Sequence, residues 1–267
     1  MPERRWRYNI RLELHSLLEG SKKNANDPTI VLVNGLFADL TSFDGAVTYL
    51  NDKFQYLRFD CRGQGKSPKP EGIYHLEDHV MDLKGLLEKQ DLGKIIFVGL
   101  SNGARIAMEY ARRFPDGVVG VAACDCFDMV TPMIKAKLGS WLMAHETGGP
   151  LHRFDIATPW IWGEDVFNEK SDLFLSYRER AGSLPSHVVS GLLLGAMDTD
   201  IDVSLIRCPI LFVAGKEDLL TPPFNHEKMA AKAMKGEFVM SEGGHAGLIE
   251  KPSIMEKQIL PWIEKIL

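Results

Sequence analysis

Apolar residues in this chain fall into short unbroken runs, separated by stretches in which they recur every three or four positions. Ile30-Val31-Leu32-Val33, Tyr56-Leu57-Arg58-Phe59, Ile95-Ile96-Phe97-Val98, Val118 to Ala123, Ile210-Leu211-Phe212-Val213 and Phe238-Val239-Met240 have strand length. Only Arg58 interrupts these runs with a charge. Near the start, Tyr8, Ile10, Leu12 and Leu14 alternate with polar residues, which predicts the first strands between Tyr8 and Leu18. Helical spacing runs from about Leu76 to Lys89, from just after Ser101 (Ala104, Ile106, Ala107, Tyr110 and Ala111 on one face), and from about Ser253 to Leu267. Strands alternating with helices predict an α/β fold with a mostly parallel sheet.

One stretch departs from this rhythm. From Phe127 to Asp202 no strand pattern is visible, and Trp141, Met143, Trp160, Trp162, Phe167, Phe174, Leu192, Leu193 and Met197 supply apolar helix faces. It is neither polar nor Gly/Ser-rich, so it reads as a helical insertion rather than a linker. The expected organisation is a core from residues 1–126 and 203–267 with a helical cap at 127–202.

With 267 residues the chain can bury a full core. Its 45% apolar and 25% charged content are ordinary for a globular protein. A net charge of -5 leaves no basic surplus to neutralise phosphates, so a nucleic-acid partner is not expected. Arg4-Arg5-Trp6-Arg7 is the one basic cluster, and it reads as a solvated terminus. Tyr8, Asn9 and Arg11 follow it where a signal peptide would turn apolar, and no run reaches membrane-spanning length. Cys124 and Cys126 flank Asp125, too close to pair comfortably, while Cys61 and Cys208 sit beside predicted strands as buried thiols would. The cytoplasm is the expected compartment.

Candidate chemistry centres on Gly99-Leu100-Ser101-Asn102-Gly103, set between the Ile95–Val98 strand and a helix. So abrupt a strand-to-helix turn presents a serine hydroxyl above the sheet edge, and side chains at the two glycine positions would meet the helix and the neighbouring strand. A serine needs a base, and the base an orienting group. Ligands of open α/β sheets gather at the carboxyl ends of the strands. Two later strand ends supply partners: Asp218 in Gly215-Lys216-Glu217-Asp218 and His245 in Gly243-Gly244-His245-Ala246-Gly247. Asp125 or Asp128, after the Val118–Ala123 strand, could serve as the acid instead of Asp218.

The pieces LVNGLF, LRFDCRGQGKS, VGLSNGARIA, CPILFVAGKEDLLTPP and EGGHAG together resemble the α/β-hydrolase superfamily over nearly the whole chain. That resemblance implies an eight-stranded, mostly parallel sheet with a helical cap inserted after the sixth strand. It implies Ser101 as nucleophile, His245 as base and Asp218 as orienting acid, with the backbone N–H groups of Leu36 and Asn102 as the oxyanion hole. The usual His-Gly after the third strand is Asn34-Gly35 here. LVNGLFADLTSFD and LRFDCRGQG look similar to the enol-lactonase and small carboxylesterase branch. The expected partner is a small-molecule ester, lactone or thioester with a small to medium apolar acyl group. No cofactor or metal is required, and a homodimer is left open. An acyltransferase with the same three residues, or a noncatalytic binding protein on the fold, are the rival readings. The insertion cations Arg153, Arg178 and Arg180 could anchor a substrate carboxylate; the expectation is that they lie on solvated helix faces.

Overall fold

The structure is a computed structural model that describes residues 12–22, 24, 26–90 and 92–267. Seven strands form one sheet: β1 (Ser16–Glu19), β2 (Thr29–Val33), β3 (Tyr56–Phe59), β4 (Ile95–Leu100), β5 (Val118–Cys124), β6 (Ile210–Gly215) and β7 (Gly236–Ser241). Their order is β1-β3-β2-β4-β5-β6-β7, with β1 antiparallel to β3 and every other neighbour parallel. The sheet thus has seven strands among the described residues, where the resemblance implies eight, and the fifth of these, β5, precedes the helical stretch. Of the alternating Tyr8–Leu18 segment, the part up to Arg11 lies outside the described residues, as does Arg4-Arg5-Trp6-Arg7.

The helices are α1 (Asp44–Val47), α2 (Leu76–Glu88), α3 (Asn102–Arg113), α4 (Pro132–Ile161), α5 (Glu164–Glu169), α6 (Ser171–Gly182), α7 (Ser186–Ala196), α8 (Pro223–Lys232), α9 (Gly247–Glu250) and α10 (Leu260–Ile266). One apolar layer packs α2, α3 and α8 on one face of the sheet through Val80, Leu83, Ile106, Ala107 and Met229. A second packs α1 and α10 on the other face through Ala46, Val47, Trp262 and Ile263. The central strands β2, β4 and β6 are buried at every position, which is why their runs carry no alternation. The final helix is less regular than its spacing predicts. Met255–Ile259 forms a wide π turn before α10, and Pro261, which has no N–H to donate one turn back, lies just beyond it.

The chain passes from β2 outward to β3 and then back across to β4, so a crevice opens between the carboxyl ends of β2 and β4. Val33 pairs with Gly99 at that edge, which brings the segments after β2 and β4 side by side. Between β5 and β6 the chain makes a helical excursion, α4 to α7, which covers this edge. Inside α4 the helix breaks at Gly149, whose φ is 78°. The following residue is Pro150, which disfavours helical geometry in the residue before it. The break gives the second half of α4 its own direction. Two apolar residues of this region do not pack as its pattern suggests, since Met143 is 59% and Phe167 45% exposed.

No helix among the described residues is long and apolar enough to cross a membrane.

Candidate active site

Ser101 sits between β4 and α3 with φ 55° and ψ -121°. Such a conformation costs a non-glycine residue roughly 1–3 kcal/mol, so the surroundings must enforce it. They do so by close packing. A Cβ on Gly103 would stand 2.0 Å from the Val33 carbonyl oxygen, and one on Gly99 would stand 2.5 Å from Ala104 Cα. The Ser101 N–H is held by the Cys124 carbonyl at 2.8 Å. The turn therefore fixes the hydroxyl above the strand ends, with α3 starting directly beneath it.

His245 approaches from the loop after β7 and Asp218 from the loop after β6. His245 Nε2 lies 2.7 Å from Ser101 Oγ, and His245 Nδ1 lies 2.9 Å from Asp218 Oδ2. Both partners are deeply buried, His245 at 4% and Asp218 at 2% exposure. The Thr221 hydroxyl donates to Asp218 Oδ2 at 2.6 Å, and the N–H groups of Leu220 and Thr221 donate to Oδ1 at 2.9 and 2.8 Å. Burial alone would raise the Asp218 carboxyl pKa, but the facing His245 and the hydrogen bonds from His245 and Thr221 hold it below its ordinary value. The carboxylate form of Asp218 is thus favoured.

Asp125 does not compete for this place. Its Oδ1 accepts the Gly215 N–H at 2.8 Å, which ties the end of β5 to β6. Burial, and then the charge on Asp218, push its carboxyl pKa well above normal. Asp128 lies near Lys232, 3.7 Å away, and not beside the histidine. Of the acids read from the sequence, Asp218 is the one brought to His245.

The segment after β2 forms the other wall. A Cβ on Gly35 would be 3.1 Å from Ser101 Cβ, so only a bare backbone lets this segment approach the serine so closely. Leu36 and Asn102 line the same cavity as Ser101 and His245. Asn102 opens α3, where an N–H has no acceptor one turn back, and no hydrogen bond from the Leu36 or Asn102 N–H is found among the described residues. The next turn is braced from the loop after β3. Gln64 Oε1 accepts the Phe37 N–H at 2.6 Å, and Asp60 Oδ1 accepts the Leu40 N–H at 2.7 Å. Asn34, in place of the usual histidine, donates through Nδ2 to the Phe59 carbonyl at 3.4 Å.

A cavity of about 100 Å³ lies over Ser101, roofed by Leu138, Trp141, Phe154, Ile161 and Trp162 of the excursion. Glu250 pins the roof to the histidine loop: its carboxylate accepts the Gly163 N–H at 3.2 Å and the Gly244 N–H at 3.0 Å. The three insertion cations part company here. Arg178 pairs with Asp155 at 2.9 Å on the surface and Arg180 with Asp39 at 2.8 Å. Arg153, expected on a solvated face, instead lies buried in the cavity wall, because the break at Gly149 redirects its half of α4.

Comparison with known proteins bears on the fold. A family model described as the alpha/beta hydrolase fold matches residues 28–160. A 2-(acetamidomethylene)succinate hydrolase from Mesorhizobium japonicum is 30% identical over 139 residues, 52% of this chain and 49% of the relative, so the chain matches about half that relative's length. The 3-oxoadipate enol-lactonase 2 of Acinetobacter baylyi is 23% identical over 85% of each chain. Among solved structures, a thermophilic esterase from Thermogutta terrifontis, solved with malate bound, superposes with a TM-score of 0.85 at 27% identity, covering 96% of this chain and 94% of the other. With the family-model match and these likenesses beside the mostly parallel sheet, the chain belongs to the α/β-hydrolase superfamily.

Proposed function

We propose that this protein is a serine hydrolase that cleaves a carboxylic ester, lactone or thioester of a small to medium acyl group through an acyl-enzyme. The observation that carries the reading is the unbroken line from Ser101 Oγ to His245 Nε2 at 2.7 Å and from His245 Nδ1 to Asp218 Oδ2 at 2.9 Å. His245 takes the Ser101 proton as Oγ attacks the carbonyl carbon. Asp218 accepts the Nδ1 hydrogen, which fixes the tautomer and stabilises the imidazolium that forms. The N–H groups of Leu36 and Asn102 receive the oxyanion; one such donor is typically worth about 2.7–4 kcal/mol in the transition state. His245 then passes its proton to the leaving group, and a water activated by the same nitrogen releases the acid.

On this reading residues 127–202 act as a cap over a core made of residues 1–126 and 203–267. An apolar cavity of about 100 Å³ supports a compact acyl group over a long chain. The likeness to an esterase and an enol-lactonase also supports the reading.

The test is turnover of p-nitrophenyl esters from acetate to decanoate by wild type and Ser101→Ala. Turnover should depend on Ser101 and peak at the shorter chains. Equal turnover by Ser101→Ala would refute the assignment.

A further inference from the structure

Arg153 is the least expected residue in the cavity. It is 3% exposed and projects from the second half of α4 into the wall of the cavity over Ser101. One face of its guanidinium stacks on the Phe37 ring, with Cζ 3.9 Å from the ring centroid. Its Nε and Nη2 atoms are buried, and neither has a hydrogen-bond partner among the described residues. No Asp or Glu among the described residues lines the cavity. A second donor in the same wall is in the same condition: Trp141 Nε1 is buried and unpartnered. Leaving a buried charge without a counter-ion is costly, so a resident arginine of this kind calls for an anion supplied from outside the chain.

The unpartnered edge identifies the anion. Nε–H and Nη2–H lie on one side of a guanidinium and form a two-pronged donor that matches the two oxygens of a carboxylate. Elsewhere in this molecule that same edge is filled by carboxylates. Arg62 holds Asp82 through Nε and Nη2 at 2.6 and 2.8 Å, Arg112 holds Glu109 at 2.8 and 2.7 Å, and Arg178 holds Asp155 at 2.9 and 3.0 Å. On Arg153 the edge has nothing to hold.

We propose that Arg153, aided by Trp141 Nε1, binds a carboxylate carried by the substrate, so that the preferred acyl group is a dicarboxylic half-ester or a carboxylate-bearing lactone and not a plain alkyl ester. The inference rests on the assignment of the cavity as the acyl site of a Ser101 hydrolase, and it narrows the substrate class of that site. A single guanidinium matches a monoanion. A dianionic phosphate would bring a second charge into an otherwise apolar chamber with nothing to neutralise it. Burial lowers the Arg153 pKa to about 10, which still leaves the group charged at neutral pH.

The test compares p-nitrophenyl hydrogen glutarate with p-nitrophenyl pentanoate, esters of similar length that differ in the terminal carboxylate. Wild type is expected to favour the glutarate ester in kcat/KM. In Arg153→Met the ratio between the two esters should fall roughly 10- to 100-fold, the usual range for a hydrogen bond to a charged group, with partial recovery in Arg153→Lys. A fall of both esters in parallel, leaving the ratio unchanged, would mean that Arg153 only supports the fold, and would overturn the proposal. Calorimetric titration of Ser101→Ala with glutarate, and with phosphate beside it, gives a readout independent of turnover. Glutarate binding that is lost in the Ser101→Ala/Arg153→Met double variant supports the carboxylate site even if the Ser101 assignment fails. Absent glutarate binding, or binding by phosphate alone, refutes the carboxylate site even if Ser101 proves to be the nucleophile.

Discussion

The strand-end loops of the sheet and the helical excursion above them are built on different terms. Below the cavity, each group is held closely by its surroundings: Ser101 by a strained turn, Asp218 by two backbone donors and one hydroxyl, Gly35 by contact with the serine. Above it, the roof is made of side chains on helices, one of them broken at Gly149, and joined to the loops at few points such as Glu250. On the proposed function, the lower region fixes what reaction can occur and the upper region decides what is admitted. A change below should therefore abolish chemistry or folding, whereas a change above should alter preference among substrates.

The largest contrast is expected at the reacting groups. Ser101→Ala should lower kcat by about 10⁴-fold or more, and Asp218→Asn by a similar factor, with the cooperative unfolding transition kept. Trp141→Phe in the roof should change kcat only a few-fold; a loss as large as that of Ser101→Ala would erase the distinction between the two regions.

Next in size is a pH effect seated below the sheet edge. His226 Nε2 accepts the Cys126 N–H at 2.8 Å, and burial, the largest influence on the ring, lowers its pKa to about 4 from an ordinary 6.5. The unfolded chain then binds the additional proton between these values, so stability falls as pH drops from 6.5 towards 4. The linked loss is at most about 3 kcal/mol at the acid end. Denaturant titrations of wild type and His226→Gln across that window should show a flatter pH dependence in the variant, and parallel curves would count against a neutral buried His226.

Two glycines give a smaller test with opposite signs. Gly103→Ala drives a methyl to 2.0 Å from the Val33 carbonyl oxygen and should destabilise by about 1–3 kcal/mol or prevent folding. Gly139→Ala, in α4 with nothing within 4 Å of a new Cβ, should stabilise by roughly 0.5–1 kcal/mol. Thermal unfolding of the pair measures how tightly each region is packed.

The same division explains what can be read from the sequence. Ser101, Asp218 and His245 are legible because each lies within a few residues of the end of an apolar run, and strand ends in a parallel sheet converge whatever the details of the helices. Gln64 and Thr221 lie within the matching pieces, but the contacts they make are not legible. Gln64 acts on the Phe37 N–H from 27 residues away, and Thr221 is one hydroxyl among many until the loop after β6 is folded. Arg153 is legible as a cation but not as a buried one, because charge alone places an arginine on a solvated face and the break at Gly149 that redirects its half of α4 is not apparent from the spacing. Met143 and Phe167 show the converse, apolar residues that the pattern puts inside and the fold leaves exposed.

That Ser101 is a nucleophile activated by His245 is tested most directly by reaction with a fluorophosphonate, followed by intact mass and peptide mapping. Such a probe reports on the serine whatever the natural substrate is. One adduct per chain is predicted, on the peptide containing Ser101, and none on Ser101→Ala or on folded His245→Ala in the same time. An unlabelled Ser101 in folded wild-type protein, or equal labelling of folded His245→Ala, would contradict the assignment.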